Sequence, residues 1–408
     1  MAHGSARRLD DPQALRCGNW QHSCSARPVL VYDASVIKRF YVHNFRCLEN
    51  FELPVSGLSS ALLIGDNGSG KTTIVRALWI LRRIARGVNG VGDLLRPQNV
   101  SRGRDDVPMR FEFEILVKSK TYGYLIAFEL PVGSKELRVL EERLSVDGDP
   151  VYTRERAEVH LGKGLRAKSA TFNIASNLVA LPILEQEPIN GPLSIFKRWA
   201  ASMLILRPIP TRIPGTSAGE TLEPDIQVKD FAAWFSGLLA YAPSAYTRID
   251  GYLKQLMPDI KEVRNPRVGK DSRSLFVEFS NERGSAIIPF GELSDGEKCF
   301  MICAMVLAAN EAYGPLLCFW DEPDSHLAPS EVGHFVMALR KAFQSGGQFI
   351  ATSHNLEAIR QFSDENTFVL YRRNHLEPTI LRRLADIRAN GDFSGDLAGA
   401  LVRGDLEP

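Results

Sequence analysis

The segment Gly65-Asp66-Asn67-Gly68-Ser69-Gly70-Lys71-Thr72 fits the spacing G-x-x-x-x-G-K-[ST], and no other stretch constrains the fold as much. Such a loop works only between a buried strand and a helix. Its glycines let backbone N–H groups curl around phosphate oxygens, and the helix turns its positive end to the same anion. Both flanks meet that demand. Ser59–Ile64 reads as a short buried strand. Lys71–Arg86 reads as a helix, with Ile74, Val75, Leu78, Leu81 and Ile84–Ala85 at helical spacing. In this reading Lys71 reaches the β- and γ-phosphates of a bound nucleotide and the Thr72 hydroxyl ligates Mg²⁺. Gly65, Asn67, Gly68, Ser69, Gly70 and Thr73 complete the cradle. A chance glycine turn would leave the strand and the helix on either side unexplained.

A second motif supplies what a phosphate loop needs. Leu316–Trp320 is an apolar strand that ends in adjacent carboxylates, Asp321 and Glu322. Asp321 suits the Mg²⁺ shell, and Glu322 can orient and deprotonate an attacking water. Alone, such a pair is an ordinary solvated strand end; beside a phosphate loop it reads as catalytic. Leu293-Ser294-Asp295-Gly296-Glu297 opens an apolar helix. Ser294 and Glu297 have capping-box spacing, and a capped N-terminus holding Ser294 and Gly296 also suits a γ-phosphate. Finally, His354 follows the buried strand Gln348–Thr352, which predicts a histidine beside the carboxylate pair.

Taken in this order, the four motifs resemble those of the ATP-binding-cassette ATPases. Asp321-Glu322-Pro323-Asp324-Ser325-His326-Leu327-Ala328-Pro329 is similar to the corresponding stretch of the RecF/OLD/SMC-like group, and so is the opening Phe40-Tyr41-Val42-His43-Asn44-Phe45-Arg46-Cys47-Leu48. The resemblance implies an α/β fold: a P-loop NTPase of ABC type, a mixed β-lobe plus a parallel-sheet core, with an inserted, mainly helical lobe. It implies ATP and Mg²⁺ as cofactors and catalysis by Glu322, His354 and Lys71. It also implies a homodimer or higher homo-oligomer through an ATP sandwich, in which Ser294 and Gly296 act in trans and Asp324 lies in the cross-dimer loop. Ala328 departs from the group's second histidine. No glutamine-loop residue stands out, Gln98 being a weak candidate.

The domain reading is 1–28 a loose extension, 29–175 the first half of the ATPase head, 176–265 a helical insert, and 266–408 the second half. Nine prolines in 176–265 exclude a long coiled coil there, and the Pro/Gly-rich stretch 207–219 reads as an exposed loop. With 54 residues after His354, no Toprim nuclease is expected.

Composition narrows the partners. With 49 basic and 48 acidic residues the net charge is +1, so no global field favours nucleic acid or membrane. Eight arginines fall in 76–110 against three aspartates, which keeps DNA contact open as a local feature, although four lie on a helix face that reads as solvated. The six cysteines are too scattered for a disulfide framework, and Cys299 and Cys303 read as core. The apolar run Cys299–Asn310 is short of the ~20 residues of a membrane helix. No signal peptide is evident, so no membrane partner and a cytoplasmic location are expected. Three functions compete. The first is an ATP-driven sensor or switch that controls an effector encoded nearby, as in the stand-alone ATPases of anti-phage operons such as Septu or PARIS. The second is a RecF-like DNA-repair ATPase, and the third a transporter's energy-coupling subunit, which the Asp-Gly-Glu signature and the long insert weaken.

Overall fold

The computed structural model describes residues 35–162, 170–185 and 190–390; the expected extension 1–28 lies outside them. Alternation of apolar and polar residues builds the first sheet. In Met109–Val117 every second residue is buried, and Lys120–Glu129 returns antiparallel beside it. These two belong to an eight-stranded antiparallel sheet that opens with Ser35–His43, paired to both Phe51–Leu53 and Met109–Val117.

The second sheet carries the motifs. Its strands Ser60–Ile64, Leu317–Asp321 and Gln348–Thr352 are buried along their whole length, as befits the middle of a parallel sheet covered on both faces. The order across it is Leu204–Leu206, Leu317–Asp321, Gln348–Thr352, Ser60–Ile64, Thr367–Tyr371 and Ile380–Arg383, and only the last is antiparallel to its neighbour. The phosphate loop, the carboxylate pair and His354 therefore emerge at one edge, at the carboxyl ends of neighbouring strands. One core binds the layers: Phe40, Phe111 and Phe128 from the antiparallel sheet cluster with Ile74, Leu78 and Leu81 of the helix Lys71–Ala85, and with Leu63, Phe319 and Ile350.

The segment 176–265, expected as an inserted, mainly helical lobe, carries the helices Ala180–Ile183, Pro192–Ser202, Phe231–Tyr241 and Ala245–Leu256, and one of its strands joins the second sheet. Leu204–Leu206 pairs in parallel with the carboxylate strand, Leu206 opposite Trp320, and so forms one edge of the second sheet. The helix Pro192–Ser202 packs on Lys71–Ala85, and Ala245–Leu256 packs on the signature helix Asp295–Tyr313. Trp199 on Pro192–Ser202 is buried, as are Phe231, Trp234 and Phe235 on the helix Phe231–Tyr241. The physical reason is burial: a region this apolar is stabilised by docking onto the head rather than by standing off it.

The arginine-rich stretch is also largely spoken for. Arg82, expected on a solvated face, is buried and donates to the carbonyls of Ile205 and Pro224. Arg86 meets Ala201 O at 3.1 Å and Glu223 at 3.2 Å. Arg102 and Arg104 share Glu49, and Arg110 holds Glu112 and Glu141. Among the described residues no helix is long and apolar enough to cross a membrane.

Candidate functional site

The phosphate loop has the backbone its glycines were expected to give. Gly65 has φ 145°, and a Cβ there would stand 1.9 Å from Leu370 O; Gly70 has φ 113°. Only glycine fits either position. Asp66, Asn67 and Gly68 form an exposed crest, while Ser69 and Lys71 are buried behind it and Thr72 is half-buried. Two distant residues brace the loop: Thr379 Oγ1 donates to Ser69 O at 2.8 Å, and Arg372 Nη1 to Gly68 O at 3.3 Å. The Thr73 hydroxyl lies 3.5 Å from Cys47 Sγ, inside its own chain.

The loop fits a nucleotide phosphate. Lys71 Nζ is folded back on the carbonyls of Gly65 (2.5 Å) and Asp66 (3.1 Å), and the buried Ser69 Oγ has no hydrogen-bond partner. Burial lowers the Lys71 pKa, opposed by the charges of Glu322, Asp321 and Asp66. An ammonium and an orphaned hydroxyl in a glycine cradle are donors short of an anion.

Across the sheet, Asp321 is buried, and desolvation raises its pKa against the hydrogen bond from Thr352 and the charge of Arg207. Thr352 Oγ1 donates to Asp321 Oδ1 at 2.7 Å, and Arg207 Nε stands 3.5 Å from Oδ2. Glu322 takes a left-handed backbone, φ 52°, and its N–H donates to Thr352 Oγ1 at 2.9 Å. His354 Nε2 lies 3.7 Å from Glu322 Oε1. Its pKa is lowered by burial and by Lys71, against the pull of Glu322. Lys71, Asp321, Glu322 and His354 thus feel one another's charges. No cluster of three or more potential metal-binding side chains exists among the described residues. Mg²⁺ is usually held by one or two protein oxygens together with phosphate and water, and Thr72 and Asp321 are the residues that could supply them.

The signature turn forms the expected capping box: Glu297 N donates to Ser294 Oγ at 3.3 Å, and Ser294 N donates to Glu297 Oε2 at 2.7 Å. Ser294 is exposed and Gly296 half-buried at the head of a helix whose interior holds Cys299 and Cys303. Asp324, expected in the cross-dimer loop, is 4% exposed and accepts from Ser353 Oγ at 2.7 Å. Gln98 sits in the turn Pro97–Asn99, and the side chain found beside Asp321 is Arg207. Arg207, Thr352, Arg372 and Thr379 were missed because only long-range contacts give them roles.

Residues 60–360 match the family model described as "AAA domain, putative AbiEii toxin, Type IV TA system". Over 119 residues the chain is 28% identical to the methionine import ATP-binding protein MetN of Helicobacter acinonychis (strain Sheeba), covering 28% of this chain and 36% of that protein. Over 43 residues it is 51% identical to the OLD nuclease of Thermus scotoductus, covering 10% of this chain and 8% of that protein. The matches thus span about a third or less of these curated relatives. Similar solved structures include an SMC head bound to the C-winged helix domain of ScpA (TM-score 0.47, 15% identity, 86% of this chain and 99% of that one). Another is the SMC head domain from Thermotoga maritima (TM-score 0.45, 13% identity, 85% and 98%).

Proposed function

The chain belongs to this AAA-domain family and is an ABC-type P-loop ATPase, and from that premise we propose that its ATP-dependent dimerisation is a switch controlling a partner effector, such as a nuclease, in anti-phage defence. The observation that carries the reading is the division of the site. Lys71, Asp321, Glu322 and His354 converge within one chain, whereas Ser294 heads the buried signature helix with its face exposed. A γ-phosphate-facing helix end left open to solvent suits a site finished by a second copy.

Bound Mg²⁺·ATP would supply a γ-phosphorus open to attack and a metal that spreads phosphate charge. Lys71 would exchange the Gly65 and Asp66 carbonyls for phosphate oxygens, and Ser69 would gain a partner for its hydroxyl. Thr72 and Asp321 would hold the metal. Glu322 orients a water and accepts its proton. His354, kept neutral, steadies Glu322 from the neighbouring strand end. Ser294 and Gly296 close the site from the opposite subunit. The RecF-like DNA-repair reading ranks second, because most arginines of 82–110 already have partners within the chain.

The test is complementation. Lys71→Ala lacks a working phosphate loop and Ser294→Arg a working signature, so each is inactive alone. Mixed, they form heterodimers with one intact composite site, and hydrolysis returns. If mixing restores nothing while the wild type hydrolyses as a dimer, the trans site is wrong.

A further inference from the structure

The Leu204–Leu206 strand delivers Arg207 to the site. Leu206 lies opposite Trp320, so the next residue on each strand, Arg207 and Asp321, meet at the strand ends. Arg207 Nε is 3.5 Å from Asp321 Oδ2, and the two side chains differ sharply in freedom: Arg207 is 55% exposed and Asp321 5%. Asp321 Oδ1 is committed to the Thr352 hydroxyl. Oδ2 is the oxygen left for a cation, and the guanidinium already faces it. Both border a cavity of about 120 Å³ whose lining includes Glu322, Trp320 and His326.

The segment that follows Arg207 leads to the signature turn. The short turn Pro210–Arg212 packs against the signature helix. Gly215 O accepts the Leu275 N–H at 2.7 Å, and Leu275 O accepts the Phe290 N–H at 3.0 Å. Gly215 sits so close that a Cβ on it would be 2.9 Å from Phe290 Cβ. Phe290 opens the turn Phe290–Glu292, and only Leu293 separates that turn from Ser294.

We propose that Arg207 is the resident counter-ion of Asp321, that Mg²⁺ displaces it when nucleotide loads, and that its release loosens segment 207–217 against the turn presenting Ser294. The inference rests on Asp321 being the metal-holding carboxylate. A divalent ion and a guanidinium compete for one oxygen whose partner oxygen is already bonded. The guanidinium is the one that leaves, because its long exposed side chain gives up little on release, while the buried carboxylate is fixed.

The experiment uses the full-length chain and a fluorescent, non-hydrolysable ATP analogue at fixed concentration, titrated with Mg²⁺. Arg207→Ala and Arg207→Gln should lower the half-saturating Mg²⁺ about twofold to fivefold, the scale of one exposed ion pair, and Arg207→Lys should stay near wild type. Trypsin cleavage after Arg212 gives a second readout. In wild type it should accelerate when Mg²⁺ and the analogue are added, and in Arg207→Ala it should be fast without them. Asp321→Asn is the control and should lose the Mg²⁺ response. Arg207 variants that melt like wild type yet show unchanged or raised Mg²⁺ demand, beside an unresponsive Asp321→Asn, overturn this inference alone. An Asp321→Asn variant that responds like wild type overturns the metal assignment, and the inference with it.

Discussion

Thr352 Oγ1 donates to Asp321 Oδ1 at 2.7 Å and accepts the Glu322 N–H at 2.9 Å, so one hydroxyl positions both carboxylates. The second bond matters because Glu322 has φ 52°, a conformation that costs a non-glycine residue about 1 kcal/mol or more and persists only where its surroundings hold it. Thr352→Val keeps the shape and removes both bonds. Single-turnover hydrolysis should fall roughly 10- to 100-fold, the cost of misplacing a catalytic group by about 1 Å, with nucleotide affinity retained. Thr352→Ser should recover most of the rate. Full turnover in the valine variant would show that Thr352 positions nothing.

Lys71 and Glu322 should separate binding from chemistry. Lys71 supplies phosphate-charge neutralisation from a buried position, so Lys71→Ala should abolish nucleotide binding in an equilibrium titration. Glu322 is needed only for the water, so Glu322→Gln should bind normally and stop hydrolysis. Equal turnover of Glu322→Gln and wild type would remove Glu322 from its role.

The pH profile should carry the mark of His354. Burial and Lys71 hold its pKa below the ordinary 6.5, so the imidazole stays neutral at pH 7 and protonates only on further acidification. The acid limb of kcat/KM, which reports the free protein, should therefore lie below pH 6.5. Lys71 is likewise lowered from 10.5, which brings the alkaline limb in below the usual lysine range. In His354→Gln the acid limb should weaken while the alkaline limb stays. An acid limb unchanged in that variant would assign it to another group.

How much of this was legible in the sequence follows the range of the interactions. The expected helix Lys71–Arg86 is observed as Lys71–Ala85, and the Ser294–Glu297 capping box forms as its spacing predicted. These depend on neighbours within a turn or two. Leu204–Leu206 did not show itself: three apolar residues, closed by Pro208, carry no periodicity, and their strand character exists only against Leu317–Asp321. Arg82 looked solvated because its acceptors, Ile205 O and Pro224 O, lie far along the chain. Asp324 was legible by its motif, but its hydrogen bond from Ser353 was not. Motifs were readable; the braces around them were not.

Asp321 should prove to be a residue that costs stability in exchange for activity. Its pKa is raised because burial penalises the carboxylate more than Thr352 and Arg207 favour it. For an acid whose folded pKa is raised, the stability contribution is full below the unfolded value, near 3.8, and is lost as pH rises through the folded value. Above the folded value the protein therefore carries the whole penalty. Asp321→Asn removes the charge, keeps an oxygen for the Thr352 hydroxyl, and gives up only a partly exposed ion pair with Arg207, which is worth little. The asparagine variant should be more stable by about 1 kcal/mol at pH 7 while hydrolysis is lost. Its advantage should shrink as the pH falls toward and below the raised pKa, where wild-type Asp321 is itself neutral. Chemical denaturation of both proteins from pH 7 down to the acid range checks the sign. If Asp321→Asn is the less stable protein at pH 7, the Arg207 ion pair outweighs desolvation, and Asp321 is a structural carboxylate as well as a functional one.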